Sequence, residues 1–118
     1  MVLTRTIALS LILPLCLGNS PPATAQRVLA GFLTGNAYRE LSESGKLGYA
    51  MGFINGLLVV PLITGKESDI TWLHPCVSGM TNTQVVAIIE KQLADNPARW
   101  QQPMNILSFD AIAQACPR

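Results

Sequence analysis

The chain has 118 residues and a formal net charge of +1 at pH 7, and its composition is 49% hydrophobic and 13% charged. Its eight basic and seven acidic residues form no basic stripe, which excludes the electrostatic footprint of a nucleic-acid-binding protein. The length is sufficient for one small domain.

The first 25 residues have the pattern of a secretory signal peptide. Arg5 supplies the positive start, residues 7–17 are an apolar run, and residues 23–25 (Ala-Thr-Ala) form a small-x-small cleavage site. A retained membrane anchor is the alternative, but the run is too short to span a bilayer and Pro14 interrupts it. We therefore predict cleavage after Ala25 and export to the periplasm or beyond.

Residues 26–118 are predicted to form the exported domain. Removing Arg5 from the eight basic residues leaves seven against seven acidic ones, so the domain is close to neutral. Cys16 lies in the signal, and lipoprotein processing there is disfavoured because Leu15 is too large for the small residue that such a site needs.

Two cysteines, Cys76 and Cys116, remain in the domain. Export to an oxidising compartment favours a disulfide between them. In the chain-entropy treatment, closing a loop of about 40 residues stabilises the fold by roughly 4 kcal/mol. A zinc site with His74 is the alternative, but the chain has no second histidine to complete it.

The first helix is predicted over Ala37–Ser44, with Gly45 ending it. Lys46–Ile63, the most apolar part of the domain, follows with hydrophobic residues at helical spacing. Its three glycines recur every fourth residue and predict that another helix packs unusually close, within the chain or from a second one. They are Gly48, Gly52 and Gly56.

Two interpretations of this apolar segment compete. Leu47–Gly65 carries no charge and is long enough for a membrane span, in which small residues at this spacing favour helix pairing. Alternatively, it is the central helix of a soluble bundle and is apolar all round because neighbouring helices cover it. Asn55, Pro61 and the lack of an aromatic belt favour the bundle, so we predict no stable membrane span.

A polar loop is predicted over Thr64–His74, and it is long for a connection in so small a bundle. We predict that it contacts a partner protein, with Trp72 as the anchor or, equally, as a packed residue. The candidate partner-binding residues are Lys66, Glu67, Asp69, Trp72 and His74.

The next helix has the best-defined start in the sequence. Thr81 to Gln84 is a capping box, in which the threonine hydroxyl and the glutamine side chain satisfy backbone N–H groups reciprocally. Asn96-Pro97 is predicted to end this helix and cap another, which Pro103 kinks or restarts before Cys116. The fold class is therefore all-α: about four helices stapled by one disulfide.

The domain shows no constellation for catalysis. His74 is the only histidine and has no clear orienting acid, and the carboxylates are not paired. Neither a dinucleotide fingerprint nor a phosphate loop occurs. We predict a protein that is not an enzyme and that has no cofactor and no metal. Trp100, on a predicted helix, is expected to be packed.

Several short motifs together resemble the Rap/Tai family of type VI secretion immunity proteins, and the resemblance covers most of residues 26–118. The motifs are the Phe-Leu-Thr-Gly-Asn run at 32–36, the glycine–tyrosine–glycine run at 48–56, Cys76 before the capped helix at 81–84, the Asn-Pro pair at 96–97, and the closing Ala-Cys pair at 115–116.

The resemblance implies a small, exported, all-helical domain held by a disulfide. Family members with an assigned role block an amidase toxin that cuts peptidoglycan in the periplasm, and members often dimerise. Three positions depart from the family pattern. Ser42 replaces an additional cysteine of some members, Ser78 replaces a frequent proline, and Pro103 interrupts the last helix.

The first hypothesis is therefore a periplasmic binding protein that occludes the active site of a secreted cell-wall amidase, with a homodimer as a further expectation. A small periplasmic stress or acid chaperone is the alternative, because seven carboxylates would lose their charge at low pH while the bases keep theirs. A membrane protein spanning at Leu47–Gly65 is a third.

Overall fold

In the computed structural model the described residues are 31–66 and 70–116. The predicted signal peptide therefore lies outside them, as do Glu67 and Asp69. The helices are α1 (Gly35–Arg39), α2 (Glu43–Leu58), α3 (Val60–Thr64), α4 (Leu73–Val77), α5 (Asn82–Asp95) and α6 (Met104–Ala115), with a 3₁₀ turn at Pro97–Arg99. The described part contains no strand, only an isolated bridge between Thr34 and Pro103. The all-α prediction is confirmed.

Hydroxyl side chains begin the first two helices. Thr34 caps α1 by accepting from the Ala37 N–H at 3.2 Å, and Ser42 caps α2 by accepting from the Gly45 N–H at 3.1 Å. The predicted helix over 37–44 is therefore wrong in its bounds. Gly45 does not break a helix but lies in the first turn of α2, because Ser42 supplies the cap.

The capping box of α5 is confirmed. The Thr81 hydroxyl accepts from the Gln84 N–H at 3.2 Å, and Gln84 Oε1 accepts from the Thr81 N–H at 2.8 Å. Val85, Ile89 and Leu93 then face the core, as their helical spacing predicts.

The core lies mainly between α5 and α6, with α1 closing one end. Ile89 of α5, Leu107 and Ile112 of α6, and Tyr38 of α1 are all less than 2% exposed. Pro103 precedes α6 directly and so restarts the chain as a helix, as predicted. The 3₁₀ turn, in contrast, replaces the longer helix expected at Pro97.

Gly35 lets α1 approach the chain before α6 closely. Its N–H donates to the Gln102 carbonyl at 3.1 Å, and a Cβ at this position would lie 2.9 Å from both the Trp100 carbonyl oxygen and a Leu107 methyl carbon. Such contacts are too short for a side chain, so only glycine fits without rearrangement.

The predicted disulfide is confirmed. Cys76 of α4 is bonded to Cys116, directly after α6, with the two Cα atoms 5.7 Å apart, within the usual range for a disulfide. The bond ties the short helix α4 to the end of α6, which packs against α5 in the core.

Helix α2 packs against α5 along one face only. Ala50 is fully buried there, and Lys46 Nζ lies 2.7 Å from Glu90 Oε1. The expectation that neighbours cover this helix on all sides is wrong. Cβ atoms added at Gly48, Gly52 or Gly56 would meet nothing within 4 Å, so no helix of the described chain packs on the glycines.

The helical segment Glu43–Thr64, which comprises α2 and α3, has 22 residues, and an 18-residue window within it has a mean hydropathy of 1.7, with only 6% of that window buried. By length and composition it could cross a membrane, although core helices of soluble proteins meet the same criteria.

Candidate partner-binding surface

Trp72 and His74 lie where the polar loop meets α4. Leu73 between them is fully buried, so its side chain fixes the start of the helix in the core. Trp72 is half-buried and His74 is exposed. The disulfide at Cys76 also holds this short helix. The backbone that carries Trp72 and His74 is therefore fixed against the rest of the protein.

The Trp72 ring packs edge-on against Phe109 of α6, with the ring centroids 6.3 Å apart and the planes at 83°. Edge-to-face aromatic pairs in this distance range are favourable. Phe109 itself remains 38% exposed, so the pair forms an apolar spot at the protein surface.

The loop predicted over Thr64–His74 is shorter than expected, because Thr64 ends α3 and His74 lies in α4. Lys66 follows Gly65, whose φ of 69° ends α3 in the left-handed region. Lys66 is exposed. Of the five predicted partner-binding residues, Trp72 contacts Phe109 of α6, whereas Lys66 and His74 are exposed. Glu67 and Asp69 lie outside the described residues.

We define the Trp72 surface as Lys66, Trp72, His74 and Phe109. Phe109 was not among the sequence-predicted site residues. It immediately follows Ser108, which is fully buried, and precedes the half-buried Asp110, so its helical position places it at the edge of the buried face. A helical wheel of α6 could have identified Phe109 as an edge residue. Its contact with Trp72 could not be predicted in this way, because that contact depends on how α4 docks.

A second concave region lies between α1 and α5 and has a volume of about 500 Å³. Three of its charged groups are engaged with the protein, since Arg39 stacks on Trp100 and Lys46 pairs with Glu90. The Arg39 guanidinium stacks 3.5 Å from the centroid of the Trp100 ring, and the Trp100 Nε1–H donates to the Leu93 carbonyl at 2.7 Å. Trp100 is therefore a packed residue, as predicted.

The cysteine and carboxylate side chains of the described residues do not form a metal-binding site. The disulfide engages both thiols that the zinc alternative required, so that alternative is wrong. No group of three or more His, Cys, Asp or Glu side chains comes together among residues 31–66 and 70–116.

No known protein family, curated protein or solved structure matches this chain. The resemblance to the Rap/Tai proteins therefore rests on the sequence motifs alone.

Proposed function

We propose that this protein is an exported, non-enzymatic binding protein that inhibits a peptidoglycan amidase by covering its active site. The proposal joins the signal-peptide pattern and the Rap/Tai resemblance to one structural observation. That observation is the packed Trp72–Phe109 pair at the surface beside the disulfide-held helix α4.

The Trp72 surface has the make-up of a protein-binding hot spot. Such spots combine a large aromatic residue with a polar rim that excludes water from it. Here the exposed Lys66 and His74 are the polar residues of the same predicted contact. Glu67 and Asp69, which belong to the same predicted contact, lie outside the described residues.

Rigidity supports an inhibitory role for this surface. Because Leu73 is buried and Cys76 is cross-linked, Trp72 does not have to be ordered when a partner binds. Avoiding that entropic cost is a general route to tight binding by small inhibitors. Occlusion needs no chemistry from the inhibitor, only a surface that fits over the catalytic groove.

The test is inhibition of purified amidases by the exported protein. We expect it to slow hydrolysis of isolated peptidoglycan by at least one member of a panel of secreted amidases and to rescue growth when that amidase is sent to the periplasm. Trp72→Ala should weaken inhibition about 30-fold or more, because a hot-spot residue contributes about 2 kcal/mol or more. His74→Ala changes an exposed residue of the same surface, so the variant should fold normally. A loss of inhibition in this variant would therefore report weaker binding rather than misfolding.

Phe32→Ala is the matched control, because Phe32 is also an exposed aromatic residue, at 56%, but does not belong to the Trp72 surface. This variant should inhibit like the unaltered protein. If no amidase in the panel is inhibited, or if Phe32→Ala weakens inhibition as much as Trp72→Ala, the proposal is wrong.

The chaperone alternative is favoured by a different observation, the apolar side chains exposed along α2 and α3. Leu62 and Ile63 are 84% and 76% exposed, and such surface can hold unfolded clients. An aggregation assay with client proteins at acid pH separates the two functions, since an amidase inhibitor needs no protective effect there.

A further inference from the structure

The three methionines of residues 26–118 differ sharply in their exposure to solvent. Met51 of α2 is 53% exposed, Met80 is half-buried, and Met104 at the start of α6 is 1% exposed. Methionine is oxidised to its sulfoxide where an oxidant can reach the thioether sulfur. Met51 is therefore the methionine of this domain that is most accessible to oxidation.

The sulfur of Met51 already has a hydrogen-bond donor beside it. Asn82, the first residue of α5, donates from Nδ2 to Met51 Sδ at 3.6 Å. A thioether sulfur is only a weak acceptor, so this contact contributes little as it stands. It nevertheless places an amide donor of α5 directly against the atom of α2 that oxidation changes.

The carboxamide of Asn82 is held in the orientation that this contact needs. Its Oδ1 accepts from the Thr83 N–H at 2.9 Å and from the Thr83 hydroxyl at 3.5 Å. Because a backbone N–H can only donate, the atom that it meets must be the carboxamide oxygen, and the amide nitrogen then faces the sulfur. The donor is thus oriented before any oxidation occurs.

Space for an added oxygen atom is present next to the sulfur. A concavity of about 170 Å³ lies between α2 and the start of α5, and its lining includes Met51, Asn55, Thr81 and Asn82. A group the size of a water molecule needs roughly 10–15 Å³ of such space. The concavity therefore accommodates a sulfoxide oxygen without moving the backbone of α2 away from α5.

We propose that Met51 is a site of reversible oxidation, and that the Asn82 carboxamide binds the resulting sulfoxide and so tightens the contact between α2 and α5. The oxidant is hydrogen peroxide. The sulfur lone pair attacks one peroxide oxygen, the O–O bond breaks, and the departing hydroxide takes the proton of the oxygen now bound to sulfur, giving water and the sulfoxide. The sulfur loses two electrons and the peroxide gains them. The predicted export brings the chain into an oxidising compartment.

The expected effect on stability is opposite to that of most methionine oxidations. A sulfoxide in a protein core disrupts the packing because it is polar. At Met51 the new oxygen lies at the surface, where it replaces a weak sulfur acceptor in front of an oriented amide donor. The preceding residue, Ala50, is fully buried where α2 packs on α5, so the stronger hydrogen bond forms between elements that are already in place.

The test is limited peroxide oxidation of the folded exported protein, followed by peptide mass spectrometry and thermal melting. Met51 should gain one oxygen at least about tenfold faster than Met104, which is exposed only when the fold opens. The singly oxidised protein should melt about 4 °C higher than the reduced protein, the shift expected for one added hydrogen bond in a domain of this size. Treatment with the two methionine sulfoxide reductases, one for each epimer, should restore the original melting temperature.

Asn82→Asp is the decisive variant, because it keeps the oxygen that accepts from Thr83 and removes the amide donor. Its singly oxidised form should melt no higher than its reduced form. Asn105→Asp is the matched control, since it makes the same substitution at an exposed position of α6 outside the concavity, and it should keep the full rise. Comparing oxidised with reduced protein within each variant cancels the effect of the substitution on the fold itself.

Met51→Leu removes the sulfur and tests whether Met51 alone is responsible. The melting temperature of this variant should not change at the peroxide dose that singly oxidises the unaltered protein. Three results overturn the proposal: oxidation of Met51 no faster than that of Met104, an unchanged or lowered melting temperature of the protein oxidised at Met51, or an equal rise in Asn82→Asp.

Discussion

Tyr38 shows how the packing of one buried side chain makes the stability of the fold depend on pH. It is fully buried, its ring lies edge-on to Tyr49 at 5.3 Å, and its hydroxyl has no hydrogen-bond partner among the described residues. Burial, followed by the charge of Glu90 and by Tyr49, raises the pKa of Tyr38. Burial also raises the pKa of Tyr49, although a hydrogen bond with Ser108 opposes the increase.

Tyr38→Phe should raise the free energy of unfolding by about 1 kcal/mol at neutral pH, because it removes a buried hydroxyl that lacks a partner. It should also reduce the loss of stability in alkali. The pKa of each tyrosine is higher in the folded chain, so the unfolded chain loses its proton first, and stability falls as the pH rises above 10.0. Urea unfolding on both sides of that pH measures the difference.

Tyr49→Phe is the control for this prediction. The Tyr49 and Ser108 hydroxyls share a hydrogen bond of 3.2 Å, and Ser108 is fully buried. Removing the phenol hydroxyl leaves Ser108 unsatisfied, so this variant should lose about 1 kcal/mol at neutral pH. Equal effects of the two substitutions would contradict the assignment of Tyr38 as the unsatisfied group.

At the scale of the elements, each helix start depends on a hydrogen bond between residues close in the sequence, which the residue types there can predict. Thr34, Ser42 and Thr81 each accept a backbone N–H three residues ahead. The Thr81 cap was predicted because Gln84 completes the box. The Ser42 cap was missed because Gly45 was interpreted as a helix breaker, although a glycine in the first turn of a capped helix is well tolerated.

Thr81→Ala should lower the free energy of unfolding by about 1 kcal/mol, the usual value of a helix N-cap. For a domain of this size that loss corresponds to a melting temperature about 4–8 °C lower. Thr83→Ala, two residues further along α5, is exposed and should change the stability by no more than about 0.5 kcal/mol. Because alanine favours helix more than threonine does, a similar loss in both variants would show that the cap is not responsible for the effect.

For the whole molecule, the disulfide decides whether α4 stays with the bundle. Helix α4 has only five residues, and its own buried side chains are Leu73 and Val77. The bond between Cys76 and Cys116 adds a covalent link to α6, on which the position of Trp72 against Phe109 also depends.

The double variant Cys76→Ser with Cys116→Ala should unfold at lower denaturant, with a loss of at most about 4 kcal/mol, since the constraint on the unfolded chain is gone. Hydrogen exchange should increase first in α4. Reduction of the unaltered protein is the control and should give a comparable loss. Unchanged stability in both cases would show that the loop closed by the disulfide contributes little.

Several features follow from the sequence alone because they depend on neighbours along the chain. The capping box and the restart of α6 after Pro103 are local patterns, and they are confirmed. The Cys76–Cys116 pairing was also accessible, because only two cysteines remain after the predicted signal. The signal peptide and the amidase partner stay predictions.

The tertiary structure decided which apolar faces are covered and which remain open. Periodicity shows that Gly48, Gly52 and Gly56 share a side of α2, but it says nothing about what lies beside them. Coverage depends on where distant helices dock: α5 takes one face of α2 and leaves the other to solvent. Likewise, the contact of Phe109 with Trp72 depends on the docking of α4 on α6, to which the disulfide and the buried Leu73 contribute. Local hydrogen bonds thus depend on residues that are close in the sequence. The exposure of a helix face depends instead on contacts between residues far apart in the chain.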